Sequence, residues 1–169
     1  MAVYNIKTQL EGINIMGYSK KHSDWGILIL RIGIGLAFAL VYGWPKISGG
    51  PDFWVKLGSA MGNLGINFAP AFWGFMSSIT EFGGGILLII GLFTRPVAFF
   101  MAFNMLVAMI QHLIHHDPWN IVIHPIELFI VFTALLFFGA GKYSLDYFIS
   151  GKKHIIIKKV DEPLTKTVD

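Results

Sequence analysis

Long apolar stretches separated by short polar segments make up most of the sequence. Four of these stretches are apolar on all sides, so they lack the polar face of a helix that lies on a water-soluble protein. Each reaches about the 20 residues that a helix needs to cross the hydrocarbon core of a membrane. They are Trp25–Trp44, Ala71–Phe93, Val97–Ile114 and Trp119–Ala140. The pattern predicts an all-α integral membrane protein, a bundle of four transmembrane helices.

The composition supports a membrane protein over a soluble one. Hydrophobic residues make up 54% of the 169-residue chain and charged residues 14%, whereas soluble domains are about a quarter charged. A soluble chain of this size could not surround four helices that are apolar on all sides. The sequence therefore excludes the alternative of buried helices in a soluble protein.

The polar segments divide the chain into three parts. Residues 1–24 form a leader, residues 25–148 the four-helix membrane domain, and residues 149–169 a polar tail. The long connection between spans one and two contains Pro51-Asp52, a typical helix start. The apolar residues on one face of that helix would be Phe53, Trp54, Leu57 and Met61. We interpret it as an interfacial or re-entrant helix on the outer side; the alternative is a disordered loop.

Basic residues are distributed unevenly among the polar segments, and cytoplasmic segments are enriched in Lys and Arg. The stretches before span one and after span four carry Lys7, Lys20, Lys21, Lys142, Lys152, Lys153, Lys158, Lys159 and Lys166. The connection between spans three and four carries none. We therefore predict a multi-pass protein of a bacterial-type inner membrane with both termini in the cytoplasm. The net charge of +3 then reflects topology and contact with anionic membrane lipid, so we expect no nucleic-acid partner.

Three polar residues interrupt the apolar spans at a similar depth: Arg31 in span one, Glu81 in span two and Asn104 in span three. The helical rise of about 1.5 Å per residue places them roughly 10 to 14 Å above the inner surface. A lone charge there is costly, and an inward-facing pair much less so. We predict that Glu81 pairs with Arg31. The pair either belongs to a functional site or only fixes the register of the helices.

A second group of polar residues lies near the outer ends of the spans. Its members are Tyr42, Lys46, Gln111, His112, His115, His116, His124 and Glu127. The spacing of three of these histidines on one helix face suits either a shared metal ion or a shared cavity. Because no HExxH or ExxH motif is present, we expect interfacial or quinone-headgroup contacts rather than haem or a metal. If Pro125 starts the fourth helix, His124 lies in the preceding turn.

Two segments resemble a known family. EFGGGILLIIGLFTRP at 81–96 and GAGKYSLD at 139–146 are the most specific, and YGWPK at 42–46 fits the same order. Together they resemble the DoxX family, which is similar to the DoxD subunit of thiosulfate:quinone oxidoreductase. The resemblance implies a four-helix membrane protein linked to the quinone pool. It supplies no agreed catalytic residues.

The favoured function is therefore that of a quinone-linked membrane oxidoreductase subunit. We predict Glu81, Arg31 and Glu127 as catalytic residues, because they are the carboxylates and the cation in the spans. The predicted cofactor-binding residues are Asn104, His112, His124 and Tyr42. Because the chain has no cysteine, it has no thiol redox centre, and a partner subunit or the substrate itself would deliver electrons. The alternative is a non-catalytic accessory or assembly subunit of a larger membrane complex. A transporter is disfavoured, since inverted repeats and broken helices are not evident.

Overall fold

The computed structural model describes residues 22–150, and regular structure within this range is helical. The helices are α1 (His22–Ser48), α2 (Gly50–Gly58), α3 (Pro70–Ile90), α4 (Thr94–Ile114) and α5 (Trp119–Phe138). A 3₁₀-helix, Ser59–Leu64, continues α2, and residues 145–150 are helical again. We call the end of the bundle with the α3–α4 turn the inner end, and the end with α2 the outer end.

The predicted four-helix membrane architecture is confirmed. Helices α1, α3, α4 and α5 are each long and apolar enough to cross a membrane. The largest difference in boundaries is at the end of α1, which runs to Ser48 rather than Trp44. Pro125 lies inside α5, so His124 is helical and the alternative start at Pro125 is wrong. The leader (1–24) and tail (149–169) lie almost entirely outside the described residues, and the cytoplasmic location of the termini stays a prediction.

The turn between α3 and α4 differs from its prediction. The predicted spans end at Phe93 and resume at Val97, which puts the turn at residues 94–96, but α3 ends at Ile90 and α4 begins at Thr94. The chain reverses at residues 91–93, where Gly91 and Phe93 both have positive φ. Proline is tolerated in the first turn of a helix, because the amide hydrogen it lacks would have no helical partner there. Pro96 therefore lies in the first turn of α4 and does not form the turn between the helices.

Large apolar side chains fill the centre of the bundle. Phe38 of α1 packs edge-on against Phe132 of α5, with ring centroids 5.1 Å apart. Leu88 and Met101 complete this core from α3 and α4. Many Ile, Leu and Phe side chains remain exposed around the bundle, and in a membrane protein such a surface faces lipid.

A π-helical segment, Ala37–Gly43, interrupts α1 near its outer end. Gly43 in this segment packs so closely on α3 that a Cβ there would lie 2.4 Å from the Phe82 amide nitrogen. Segments of π-helix are frequent at functional sites, since they change which side chains a helix presents. Here the close approach places Lys46, one turn further along α1, against Glu81 of α3.

Helix α2 folds back along the outer half of α3, which confirms a helix in this connection. A Cβ at Gly74 would lie 1.8 Å from the Trp54 carbonyl oxygen, so glycine permits this contact. The Trp54 ring packs on Phe75, and its Nε1 donates a 2.9 Å hydrogen bond to the Lys46 carbonyl. Whether α2 lies at the membrane interface stays a prediction. Its position on α3 makes it one wall of the cavity that holds the candidate site.

Candidate functional site

Arg31 is buried near the inner end of the bundle, where it binds backbone carbonyls. Its Nε donates to the Leu88 carbonyl at 3.0 Å, and Nη2 donates to the Tyr143 carbonyl at 3.1 Å. Nη1 donates to the carbonyl of Ala140. The last carbonyls of a helix have no partner within the helix. Arg31 therefore ties the end of α3 to the segment that follows α5.

The predicted pair between Arg31 and Glu81 is wrong. Side chains lean toward the N-terminus of their own helix, and α1 and α3 run in opposite directions. Arg31 therefore leans toward the inner end of the bundle and Glu81 toward the outer end. Arg31 meets α3 at Leu88, which is about two turns, or roughly 10 Å, from Glu81. Because the Arg31 side chain is long, its guanidinium group lies still further from Glu81.

Asp146 completes this inner set of contacts. Its carboxylate oxygens accept hydrogen bonds from the Phe93 and Thr94 amides at 2.8 and 2.9 Å. Its own amide donates to the Gly91 carbonyl at 3.0 Å. Asp146 thus satisfies the free amides at the start of α4, where a carboxylate is also favoured by the helix dipole. We call Arg31, Asp146 and the backbone groups they bind the inner network.

Glu81 is held by a second set of contacts nearer the outer end. The residue is 1% exposed, and its Oε1 accepts hydrogen bonds from Lys46 Nζ at 2.6 Å and from Asn104 Nδ2 at 2.8 Å. Asn104 Oδ1 in turn accepts a 2.8 Å hydrogen bond from Ser77 Oγ. We call Lys46, Ser77, Glu81 and Asn104 the outer network. The structure thus brings Asn104 to Glu81, as their similar depth predicts, but supplies Lys46 as the cation.

The outer network is not saturated. Glu81 Oε2 is buried and makes no hydrogen bond within residues 22–150. Lys46 has three N–H donors and Asn104 two, and each donates one of them to Glu81. Unused N–H groups of Lys46 and Asn104 and one oxygen of Glu81 without a partner therefore lie close together. A buried polar group without a hydrogen-bond partner is rare in folded proteins, and a bound ligand would explain it.

The outer network lines a cavity of about 740 Å³ between α2, α3 and α4, which we call the outer cavity. Its volume lies in the usual range for sites that hold small molecules and cofactors. Phe72, Phe100 and Phe103 line it and are 51%, 56% and 41% exposed. Since these side chains lie on the flank of the bundle, the cavity opens sideways toward the region that lipid would cover.

The outer rim of this cavity carries a histidine oriented by a carboxylate. His112 lines the cavity, and its Nδ1 is 2.7 Å from Asp117 Oδ2. Gln111 also lines it and contacts Asn63 and His115. A carboxylate at one ring nitrogen sets the tautomer and leaves the other nitrogen free. The rim can therefore exchange protons as well as form hydrogen bonds.

The remaining predicted site residues lie elsewhere. Tyr42 Oη and His124 Nε2 are 3.1 Å apart and connect α1 to α5. Neither residue lines the outer cavity, and neither does Glu127 or Arg31. The predicted cofactor-binding set is thus divided, with Asn104 and His112 at the cavity and Tyr42 and His124 outside it. Glu127 is exposed on α5.

Sequence reasoning did not assign Lys46, Ser77 or Asp117 to the site. From the sequence, Lys46 belongs only to the polar group near the outer ends of the spans. One signal for it is available in the sequence, because a lysine leaning toward the N-terminus of α1 points into the membrane and needs a buried partner. Among residues 22–150 no three His, Cys, Asp or Glu side chains are placed so that they could hold a metal ion together.

Four apolar helices, with a laterally open cavity between α2, α3 and α4, define a small multi-pass membrane protein with a ligand-sized site. A family model described as DoxX matches residues 26–117, and the chain belongs to the DoxX family. The chain is similar to the inner membrane protein YqjF of Escherichia coli (strain K12), with 32% identity over 136 residues that cover 79% of this chain and 98% of the relative. No solved structure matches the chain. Neither the family description nor the name of the relative specifies a substrate, so the link to quinones is a hypothesis.

Proposed function

We propose that this protein is a quinone-linked membrane oxidoreductase subunit whose outer cavity binds a quinone headgroup. The observation that carries the proposal is the unsaturated outer network inside a cavity open to lipid. A quinone is lipid-soluble, and its ring carries oxygens at its edge. The cavity offers apolar walls and polar groups at one end, which is the usual arrangement of a site for such a molecule. The similarity to an inner membrane protein supports placing this chain in an inner membrane.

The residues at the cavity fit both protonation states of such a headgroup. Lys46 and Asn104 retain N–H groups that would donate to a carbonyl oxygen, and Glu81 Oε2 would accept from a hydroxyl. When bound, a quinone supplies two-electron chemistry coupled to two protons. Electrons would come from a partner subunit or from the substrate. The chain's own contribution is to bind the headgroup, exclude water around it and accept a hydrogen bond from its hydroxyl at Glu81.

His112 and Asp117 are suited to connect the cavity with water at the outer end. Asp117 orients the His112 ring through Nδ1, and the other ring nitrogen is free to take or release a proton. We assign this pair the exchange of protons between cavity and solvent. Under this assignment the buried Glu81 contacts the headgroup, and the partly exposed His112 exchanges protons with solvent.

The quinone content of the purified protein tests the proposal. We expect about one quinone per chain in protein released gently from its native membrane, measured by native mass spectrometry and by solvent extraction. Ala108 and Asn104 line the cavity. Ala108→Phe fills the cavity and Asn104→Leu removes a donor, so both should lower the content about tenfold or more. Ser78→Ala is the matched control, because Ser78 is buried on α3 and bonds to the Gly74 carbonyl without lining the cavity.

The alternative function, a non-catalytic accessory or assembly subunit, predicts a different result from the same measurement. Wild-type protein would then contain no quinone and would co-purify with a partner chain in fixed proportion. Quinone retained equally in Ala108→Phe and in wild type would also contradict the proposal, because the cavity would not be its site. Folding of each variant is checked by its thermal unfolding in detergent.

A further inference from the structure

Glu127 occupies an unusual place for a carboxylate. It lies eight residues after Trp119, the first residue of α5, so it is about 12 Å below the outer end of that helix. Its side chain is exposed on the flank of the bundle and makes no hydrogen bond or ion pair within residues 22–150. A carboxyl group in contact with lipid at that depth is costly, and such groups almost always face protein or water. Something other than lipid should therefore cover this face.

His124 lies one turn closer to the outer end on the same exposed face of α5. Its Nε2 is bonded to the Tyr42 hydroxyl at 3.1 Å. When the hydroxyl donates to Nε2, the proton of the neutral ring resides on Nδ1, which has no hydrogen-bond partner among the described residues. In this tautomer the face carries a donor at His124 and an acceptor at Glu127, and the two are not bonded to each other within the chain.

We propose that this face of α5 is the interface of a homodimer, in which Glu127 of each chain binds His124 of the other. Two copies in one membrane share the same orientation, so a two-fold axis along the membrane normal brings their α5 helices together in parallel. A two-fold interface pairs each residue with its complement in both directions. The donor and the acceptor differ in height by about 4.5 Å, a span within reach of a glutamate side chain.

The arrangement of hydrogen-bond donor and acceptor on this face favours a second copy of this chain over an unrelated partner. The face complements itself, because it carries one donor and one acceptor, and two-fold symmetry satisfies both groups on both chains. Ile123 and Ile130 lie one turn on either side of Glu127 and supply apolar contacts around the polar pair. The proposal is independent of quinone binding, because the outer cavity lies between α2, α3 and α4.

Cysteine crosslinking in native membranes tests the interface directly. The chain contains no cysteine, so Ile123→Cys and Ile130→Cys each introduce a single thiol. A disulfide needs Cα atoms closer than about 7 Å, and we expect mild oxidation to give a covalent dimer for at least one of the two. Phe99→Cys is the control, because Phe99 is 54% exposed, close to the 60% of Ile130, but lies on α4. No dimer from either α5 position, equal crosslinking at Phe99, or attachment to a different protein would overturn the proposal.

Substitution of the polar pair separates this contact from general packing. In the Ile130→Cys background, Glu127→Leu and His124→Leu should each weaken dimerisation about tenfold, measured as the monomer–dimer equilibrium in lipid bilayers. The exchange His124→Glu with Glu127→His restores the pair in the opposite sense and should recover the dimer. Both leucine variants alter the flank of the bundle and leave its core in place, so they should fold. Unchanged dimerisation in both would contradict the pairing.

Discussion

The inner and outer networks both place charged side chains inside the membrane bundle, yet they differ in how far their hydrogen bonds are satisfied. All three guanidinium nitrogens of Arg31 donate to carbonyls, and both Asp146 oxygens accept from amides. In the outer network, Glu81 Oε2 has no partner, whereas the buried atom without a partner at the inner end, the hydroxyl of Thr94, belongs to neither Arg31 nor Asp146. The partners also differ: the inner side chains bind backbone, whereas the outer ones bind other side chains.

This difference distinguishes polar side chains that stabilise the fold from polar side chains that can bind a ligand. A polar group whose nitrogens or oxygens all bond to backbone stabilises a chain reversal and leaves no atom without a partner for a ligand to bind. A buried group with spare donors and acceptors costs stability unless something completes it. The two segments on which the sequence resemblance rests, 81–96 and 139–146, contribute heavily to the inner network, and the first of them lies within the match to the family model. Those segments therefore mainly stabilise the inner end of the bundle. Glu81 is the one charged residue in them that lines the outer cavity.

Removal of Arg31 is expected to give the largest effect. Arg31→Leu leaves the carbonyls of Leu88, Ala140 and Tyr143 without their charged donor, and we expect a loss of about 3 to 5 kcal/mol in the free energy of unfolding. Arg31→Lys should recover little, because a single ammonium cannot reproduce the fork of donors. Thermal unfolding in detergent and yield from membranes measure the loss. Ile32→Leu, at the neighbouring exposed position, is the control, and equal stability of Arg31→Leu and wild type would contradict the structural role.

A smaller loss is expected when the cap of α4 is removed. Asp146→Ala frees the amides of Phe93 and Thr94, and capping bonds of this kind contribute about 1 to 2 kcal/mol. The same unfolding measurement applies. Asp52→Ala provides the comparison, since Asp52 is exposed in the first turn of α2 and accepts no hydrogen bond among the described residues. If Asp146→Ala were no more destabilising than Asp52→Ala, the cap would contribute nothing measurable.

The comparison also shows which features follow from sequence. The four spans are predictable because the thickness of a membrane fixes a length, and length is read directly from the chain. The contact of Asn104 with Glu81 follows from depth, since both side chains are short and stay near the level of their backbones. Arg31 and Lys46 do not follow from depth, because long side chains reach about a turn from their Cα in a direction that the helix sets.

The cavity itself could not be predicted from pattern. It depends on α2 folding back on α3 through the contact of Gly74 with the Trp54 backbone, and on the π segment that aims the end of α1. Both are tertiary arrangements with no periodic signal in the sequence. Asp117 was likewise missed, because its role depends on the turn that returns it to His112.

The substitution Glu81→Gln is expected to have the smallest effect on stability and the largest effect on quinone binding. Glu81→Gln keeps the shape of the side chain and an acceptor for Lys46, and the Lys46 side chain that loses its counter-ion is 25% exposed rather than buried, so the free energy of unfolding should fall by no more than about 1 kcal/mol. Quinone content should nevertheless fall about tenfold, since a charge-assisted bond is worth about 1.5 to 3 kcal/mol. Glu127→Gln is the matched control, as it neutralises a carboxyl group of α5 outside the cavity and should keep the quinone. Loss of quinone in Glu127→Gln would restore its predicted catalytic role, and destabilisation of Glu81→Gln as large as that of Arg31→Leu would make both networks structural.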